Sequence, residues 1–368
     1  MRPDKPVMGP VNSSGDPDYS VIGPIKVNDT IGREASPGVK FARGAKIRDQ
    51  NTGFIRLCFI EKARPDGRCE VTTMRKETLM MRWMLPAVML LATLAGCSTN
   101  PATGEKQLNW ISTEKEKSLG AEAAPEFVKQ YGGDIPSDSI QKYVSDLGHR
   151  LAEISERPDL DWEFHAVDSS VINAFALPGG KVFITRGLMK ELRSEAQLAG
   201  VLGHEVGHVT AQHIGQQMTR AMIITGAGVA IGVAGEQTDE DWMKILGVGT
   251  SVGGGLYLLS YGRNQETQSD ELGVRYMTRL GYNPVGQVQV MKVLKRASGG
   301  GGAGMEFLAT HPYPDTRIAH LNKVIKDQYP DYKDPQKYRV YRDRYHKTVL
   351  NELKRLPKPA HPQEQADG

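Results

Sequence analysis

The pentapeptide HEVGH, at positions 204–208, constrains this chain more than any other stretch. It lies in a run from Ser194 to Met218 whose apolar spacing predicts a helix, which Ser194 would cap. Since each helical residue turns the chain by about 100°, His204 and His208 lie about 40° apart. They can therefore direct one nitrogen each at a single ion, with Glu205 close beside it.

A catalytic zinc site requires this arrangement of side chains. Protein ligands fill some corners of the ion, water fills an open one, and a carboxylate takes the water's proton. The same spacing also occurs by chance on solvated helices. The pentapeptide alone leaves both a catalytic metal site and an ordinary helix open.

A third ligand would decide between them, and His213 is a poor candidate. It follows His208 by five residues, which places it about 140° around the helix. Reaching back to the ion would require a break in the helix, usually at glycine, and the intervening residues are VTAQ. We expect His213 to be a polar residue on another face.

A second predicted helix, from about Asn264 to Leu280, offers a better candidate. Glu266 can complete a His-His-Glu ligand set. Asp270, one turn further on, can accept a hydrogen bond from the outer nitrogen of a ligand histidine. The alternative is a solvated acidic face, since Glu271 is also present.

Three glycines, Gly200, Gly203 and Gly207, share one face of the HEVGH helix. Each costs about 1 kcal/mol relative to alanine in a helix interior. They predict that another backbone packs very close, as it must if the helix bearing Glu266 reaches the metal. A loosely packed, dispensable helix is the alternative.

Composition and cysteine content exclude several classes of protein. The chain has 368 residues, 39% apolar and 24% charged, which is ordinary for a globular protein. Its formal charge of +3 gives no reason to expect a nucleic-acid partner. The three cysteines are at 58, 69 and 97, so the main body has neither a disulfide scaffold nor a thiolate zinc site.

The segment at 80–96 reads as a secretory signal, with a basic start, a short apolar stretch and small residues before Cys97. The run LAGC resembles the bacterial lipobox, whose cysteine is lipidated and becomes the first residue of the mature protein. Ser98 resembles the residue found in lipoproteins sent to the outer membrane. A retained membrane anchor is the alternative, although the stretch is short for a span.

Residues 1–79 precede this signal and are rich in proline, glycine and aspartate. We expect them to be a spurious upstream extension from a mis-assigned start, or else a disordered one. The region 97–330 reads as one mixed α and β domain, and 331–368 as a loosely held polar tail. Helices are also predicted at 113–131, 137–154, 285–297 and 314–328, and short strands at 162–168, 169–180 and 181–186.

A family resemblance runs from about Asn100 to Leu321. It is carried by NPATGEKQL, INAFALPGGKVFITRGLM, LAGVLGHEVGHVTAQH, YGRNQETQSDELG, GYNP and THPYPDTRI. The chain resembles the zinc metallopeptidase family that includes the CAAX prenyl endopeptidase and the mitochondrial OMA-type protease. It is most similar to the bacterial lipoprotein branch, the periplasmic proteases of outer-membrane quality control.

The resemblance implies an α+β gluzincin fold, mostly helical, with a small β-sheet flanking the HEVGH helix. It implies one zinc ion on His204, His208 and Glu266, with Glu205 as the general base. Two departures stand out: Gly262-Arg263 where the family often has Ser-Arg, and Gln268-Ser269-Asp270 where it often has Glu-Ala-Asp. Neither is expected to touch a ligand.

Other motifs acquire roles within that frame. The run Asn173-Ala174-Phe175 reads as an edge strand that could pair with an extended substrate peptide, or as a plain core strand. His311 could stabilise the oxyanion, occupy zinc's open corner in a resting state, or be structural. Arg317 could anchor the His311 loop or bind substrate carbonyls.

Two apolar, glycine-rich stretches, at 221–235 and 245–260, are each too short to span a bilayer. We expect a helical hairpin that covers the cleft, either buried or touching the membrane surface. A glycine-rich loop is expected at 298–304.

Two functions from different classes remain open. One is a lipid-anchored zinc endopeptidase, on the periplasmic face of the outer membrane, that degrades misfolded or misassembled envelope proteins. The other is a chaperone or assembly factor for outer-membrane proteins with a closed zinc site. Either could work with the outer-membrane assembly machinery, and an intact Glu205 favours the enzyme.

Overall fold

The computed structural model describes residues 44–48, 55–63, 69–74, 97–224, 260–298, 307–312 and 314–359. The predicted signal at 80–96, residues 225–259 of the predicted hairpin and the glycine-rich loop at 299–304 lie outside these ranges. Within them, no helix is both long and apolar enough to cross a membrane.

The chain divides into two units, Met1–Pro86 and Ala87–Gly368. In the first, strands β1 (Gly44–Arg48), β2 (Ile55–Ala63) and β3 (Cys69–Met74) form an antiparallel sheet in that order. The backbones of these strands pair in a defined register. The expectation that residues 1–79 are a spurious or disordered upstream extension stays a prediction.

The second unit is mostly helical over the ranges given above. Its strands are β4 (Cys97–Thr99), β5 (Lys106–Leu108), β6 (Glu163–Val167), β7 (Ala174–Leu177) and β8 (Lys181–Thr185). Its longer helices are α1 (Thr113–Gln130), α2 (Asp138–Glu153), α4 (Glu195–Thr210), α5 (His213–Ile224), α6 (Arg263–Arg279), α7 (Val285–Ser298) and α9 (Pro314–Gln328). Its short helices are α3 (Arg186–Glu191), α8 (Phe307–Thr310), α10 (Arg342–Tyr345) and α11 (Asn351–Leu353).

The HEVGH helix, α4, lies at the centre of this unit. Ser194 caps it by accepting a hydrogen bond from the Gln197 backbone N–H at 3.3 Å, as the sequence predicts. Every residue of α4 is buried, so the helix has no solvent face. An exposed helix that carries HEVGH by chance is therefore excluded.

A small mixed sheet packs beside α4, with strand order β6-β8-β7. Strand β6 runs parallel to β8, and β7 runs antiparallel to it. Gly179 and Gly180 have φ of 72° and 93°, and this left-handed backbone turns the chain from β7 into β8. The predicted strand at 169–180 is correspondingly shorter, and the expected α+β class is confirmed.

Helices α4 and α6 touch backbone to backbone at Gly203 and Gly273. A Cβ on Gly203 would lie 3.2 Å from the Gly273 carbonyl oxygen, and one on Gly207 would lie 2.8 Å from Ser269 Oγ. The predicted close approach is confirmed at these two positions. Gly200 instead faces α7.

The C-terminal segment packs on the core, so the prediction of a loosely held tail is wrong for residues up to 359. Tyr345, Val349 and Leu353 are buried. Tyr345 donates to the Met189 carbonyl at 2.7 Å, and Arg344 pairs with the Glu195 carboxylate at the start of α4. The spacing of the three buried residues, i, i+4 and i+8, is the helical signal that the polar composition obscured.

We predict that Gly273→Ala destabilises the fold. The added Cβ would lie 3.0 Å from the backbone nitrogen of His204 and 3.2 Å from the carbonyl carbon of Gly203. Such overpacking costs about 1–3 kcal/mol, more than the gain of about 1 kcal/mol in helix propensity.

Urea unfolding measures the difference, with Gly262→Ala as the control at the N-cap of the same helix. There the nearest atom to a new Cβ is 3.8 Å away. Equal unfolding free energies for the two variants would contradict the close-packing account.

Candidate metal centre

Four buried side chains converge where α4, α6 and the loop after α8 meet. Their ligand atoms all lie within 4.8 Å of one another: His204, His208, Glu266 and His311. The two α4 histidines project from one helix face, as their i, i+4 spacing predicts. The contact at Gly203 brings α6, and hence Glu266, to that face.

The spacing of these donor atoms fits a tetrahedral zinc ion. His204 Nε2 lies 3.0 Å from His208 Nε2, 3.3 Å from His311 Nδ1 and 3.6 Å from a Glu266 oxygen. His208 Nε2 lies 3.5 Å from the other Glu266 oxygen. Ligands bound at about 2.0–2.1 Å on a tetrahedral zinc lie about 3.4 Å from one another. Two kinds of donor, imidazole nitrogen and carboxylate oxygen, are also those that zinc prefers.

Glu205 lies beside the cluster, and its side chain is completely buried. Neither carboxylate oxygen has a hydrogen-bond partner within the described structure. Burial raises the pKa of this carboxyl, although the neighbouring His311 and His204 oppose the shift. A buried carboxylate without a partner is costly unless a bound ion or water meets it. The residue is thus placed to exchange a proton within the cluster.

Asp270 contacts the outer nitrogen of His204, at 3.1 Å from Nδ1 to Oδ1. Gln287 donates to the same carboxylate oxygen at 2.9 Å. Burial opposes the charge on Asp270, but the guanidinium of Arg317 outweighs it and lowers the pKa. Glu266 and Asp270 are both fully buried, so the alternative of a solvated acidic face is excluded.

Arg317 is buried and makes a two-pronged contact with Asp270. Its Nε and Nη2 donate to the two carboxylate oxygens at 2.8 and 2.7 Å. Nη1 pairs with Glu266 and lies 3.4 Å from the His311 carbonyl oxygen. These contacts favour the loop-anchoring interpretation of Arg317 over the binding of substrate carbonyls.

His311 enters the cluster through Nδ1, which lies 2.9 Å from a Glu266 oxygen. Its ring stacks on Phe307, and its backbone N–H donates to the Phe307 carbonyl at 2.7 Å. Burial lowers the pKa of the imidazole, but the carboxylates of Glu266 and Glu205 outweigh it and raise the pKa overall.

His213 is not among the four clustered donors, as the sequence predicts, but the expectation that it lies on another face is wrong, because it is buried and contacts His208. Helix α4 ends at Thr210, and Gln212 takes a left-handed φ of 58°, so the chain turns before α5 begins at His213. The break therefore occurs without glycine. It brings His213 Nδ1 to 2.9 Å from the outer nitrogen of His208.

The expectation that neither family departure touches a ligand is wrong for Gln268-Ser269-Asp270. Ser269 donates to the carbonyl oxygen of His204 across the helix contact, and Gln268 accepts from His213 at 2.8 Å. Tyr261, which sequence reasoning missed, stacks on the His208 ring with centroids 3.8 Å apart. A single tyrosine just ahead of α6 forms no spacing pattern, so the sequence held no signal that could have identified Tyr261.

The predicted substrate strand forms one edge of the three-stranded sheet, as β7. Its side chains nevertheless face the core: Asn173, Ala174 and Phe175 are at most 3% exposed. Phe175 stacks on Phe183 with centroids 4.8 Å apart. The strand is therefore an edge strand by its backbone pairing and a core strand by its side chains.

This chain is similar in sequence to several known proteins. The model of peptidase family M48 matches residues 138–325. The mitochondrial metalloendopeptidase OMA1 of Schizosaccharomyces pombe is 30% identical over 254 residues, covering 67% of this chain and 70% of that protein. The OMA1 protein of Saccharomyces cerevisiae is 26% identical, covering 61% of this chain and 68% of that protein.

A bacterial relative is similar at the same level. The beta-barrel assembly-enhancing protease of Escherichia coli is 27% identical over 242 residues, covering 63% of this chain. The match spans only 48% of that protein's length. The cofactor of the family is zinc, and the chain belongs to peptidase family M48, as a zinc metalloendopeptidase.

Proposed function

We propose that this metalloendopeptidase cleaves misfolded or misassembled proteins of the bacterial envelope, with zinc held by His204, His208 and Glu266. The observation that carries the proposal is Glu205, a buried carboxylate beside four donor atoms at zinc-like spacing. Within the described structure neither of its oxygens accepts a hydrogen bond, and His311 Nε2 lies 3.8 Å from Oε1. A purely structural zinc site needs no such general base.

Each part of the reaction has a residue placed for it. Zinc, when bound, acts as a Lewis acid and lowers the pKa of its water to about 7. Glu205 takes the water's proton on a free carboxylate oxygen and can return it to the leaving amine. Asp270 holds the His204 ring through Nδ1, and Arg317 pairs with both α6 carboxylates and offsets part of their buried charge.

His311 supports a closed resting state of this site. Its Nδ1 is as far from His204 Nε2 and Glu266 as one zinc ligand is from another. That position is a coordination corner, and it favours the capping interpretation over oxyanion stabilisation. Opening the site then requires the loop that carries His311 to withdraw.

The edge of β7 supports substrate binding by strand addition. The Thr185 N–H donates to the Asn173 carbonyl, and in an antiparallel pair every second residue bonds to the neighbouring strand. The backbone groups of residues 173, 175 and 177 therefore point towards β8. The N–H and C=O groups of Ala174 and Ala176 therefore point towards the outer edge of the sheet. Ala174 and Ala176 are 0% and 2% exposed, so an extended peptide can pair with them only after this edge is uncovered. The backbone rather than the Phe175 side chain would then be the substrate contact.

The envelope location rests on the lipobox at Cys97 and on the similarity to the Escherichia coli protease. The mitochondrial relatives do not favour it, so the signal segment is what sets the compartment. The name of the Escherichia coli protein ties it to β-barrel assembly, and we extend that association to this chain as a partner. Unfolded envelope proteins are the proposed substrates.

A quiet assembly factor is the second candidate, and the placement of His311 in the fourth corner favours it. A permanently closed zinc site would have the same geometry as a resting enzyme. Turnover separates the two functions.

We predict that the chain from residue 97 onwards cleaves casein, that the chelator 1,10-phenanthroline abolishes this activity, and that added zinc restores it. Glu205→Gln should lower kcat by about 100-fold or more, because it removes the general base, while retaining one zinc per chain. Glu271→Gln is the matched control, since that carboxylate lies on the same helix, α6, but pairs with His320 at the surface. A fully active Glu205→Gln enzyme would overturn the mechanism.

We predict that His311→Ala raises basal casein cleavage or self-cleavage, because it opens a coordination corner. If His311 instead stabilises the oxyanion, the same change should lower kcat by about 100-fold with zinc retained. His320→Ala on α9 serves as the control for loss of an imidazole. Unchanged kinetics and zinc content would make His311 structural.

We predict that Cys97→Ser leaves the protein unlipidated and releases it from membranes, because the thiol is the site of acylation. Fractionation and mass spectrometry of the mature N-terminus check both outcomes. A mature chain that begins at Met1 would refute the processing proposal.

A further inference from the structure

The outer nitrogen of His208 has a partner that the proposed mechanism does not use. His208 directs Nε2 into the cluster, 3.0 Å from His204 Nε2, and Nδ1 outward, 2.9 Å from His213 Nδ1. A neutral imidazole that binds metal through Nε2 carries its proton on Nδ1. The two facing Nδ1 atoms can bond only if His213 presents an unprotonated nitrogen.

The donors and acceptors beyond His213 can be assigned from a backbone amide. The Ala102 N–H, which can only donate, lies 2.9 Å from the side chain of Asn100 and identifies that atom as Oδ1. The Asn100 amide nitrogen therefore faces Gln268, at 3.1 Å, and identifies the facing atom as Oε1. That oxygen also lies 2.8 Å from His213 Nε2. Since Oε1 only accepts, His213 Nε2 carries the proton and His213 Nδ1 does not.

The hydrogen bonds thus meet at Gln268 Oε1. From the metal side, His208 donates to His213 and His213 donates to that oxygen, and from the turn between β4 and β5 the Asn100 amide donates to it as well. Asn100 and His213, the two residues that Gln268 links, are 3% and 1% exposed. The turn that holds Asn100 is itself fixed, because the Asn100 N–H donates to the Glu105 carbonyl at 2.8 Å. Little freedom remains for any member to reverse.

We propose that Asn100, Gln268 and His213 form a neutral relay that fixes the tautomer and ring orientation of His208, with His213 and Gln268 as positioning residues for zinc. The inference rests on the proposed role of His208 as a ligand. His204 is served differently, by the charged carboxylate of Asp270. The two zinc histidines are therefore oriented by two independent devices, one ionic and one neutral.

The relay is tested by zinc affinity, measured on the metal-free full chain by competition with a chromogenic chelator. His213→Leu removes the acceptor and should weaken zinc binding about 10–100-fold. His213→Asn should recover most of that loss, because its Oδ1 is as many bonds from Cα as Nδ1 and can accept from His208. Gln217→Leu, one turn further along α5, is the control, since it removes a buried amide that contacts Gln265 and not His213.

Two further results decide the interpretation. Nitrogen-15 NMR should show His213 as the Nε2–H tautomer in the zinc-loaded chain, and in the metal-free chain, where zinc does not fix His208, Gln268→Leu should weaken that preference. A His213→Leu affinity equal to that of Gln217→Leu, or equal losses in the Leu and Asn variants, would overturn the relay. A wild-type chain that binds no zinc would instead refute the proposed function itself.

Discussion

The contact between α4 and α6 at Gly203 and Gly273 is the constraint on which the metal centre depends. HEVGH supplies two imidazoles from one helix, but the third protein ligand must come from another. Without a side chain on either glycine, the backbones meet closely enough for Glu266 to reach His204 and His208. The Ser269 hydroxyl, bonded to the His204 carbonyl, reinforces the same approach.

Burying three carboxylates beside these histidines creates an electrostatic cost that the site offsets within itself. Glu205, Glu266 and Asp270 are all fully buried. Arg317 pairs with the latter two through charge-assisted hydrogen bonds and offsets one of their two negative charges. Glu205 receives no such partner, and its carboxylate is left for the reaction. The pairing thus separates the structural carboxylates from the reactive one.

Local spacing predicts the pair of α4 histidines, Glu266 as a candidate third ligand and the close helix contact, whereas the gluzincin fold, the assigned ligand set and the role of His311 come from the family resemblance. The i, i+4 histidines, the Ser194 cap and the one-sided glycines each specify a helix face, and the structure places those faces together. His213 was misplaced because the turn at Gln212 adopts a left-handed φ without glycine, so no residue marks the break. The C-terminal segment was misjudged because three buried apolar residues among many charges carry a weak pattern. The Asn100 contact joins positions 168 residues apart, which spacing alone cannot reveal.

The central claim is that zinc is held in a closed resting site by three imidazoles and one carboxylate. X-ray absorption at the zinc edge of the wild-type chain tests it most directly. The account predicts four nitrogen and oxygen ligands at about 2.0–2.1 Å, with outer-shell scattering from three imidazole rings. A sphere with two imidazoles or fewer, or with six oxygen ligands, would contradict it.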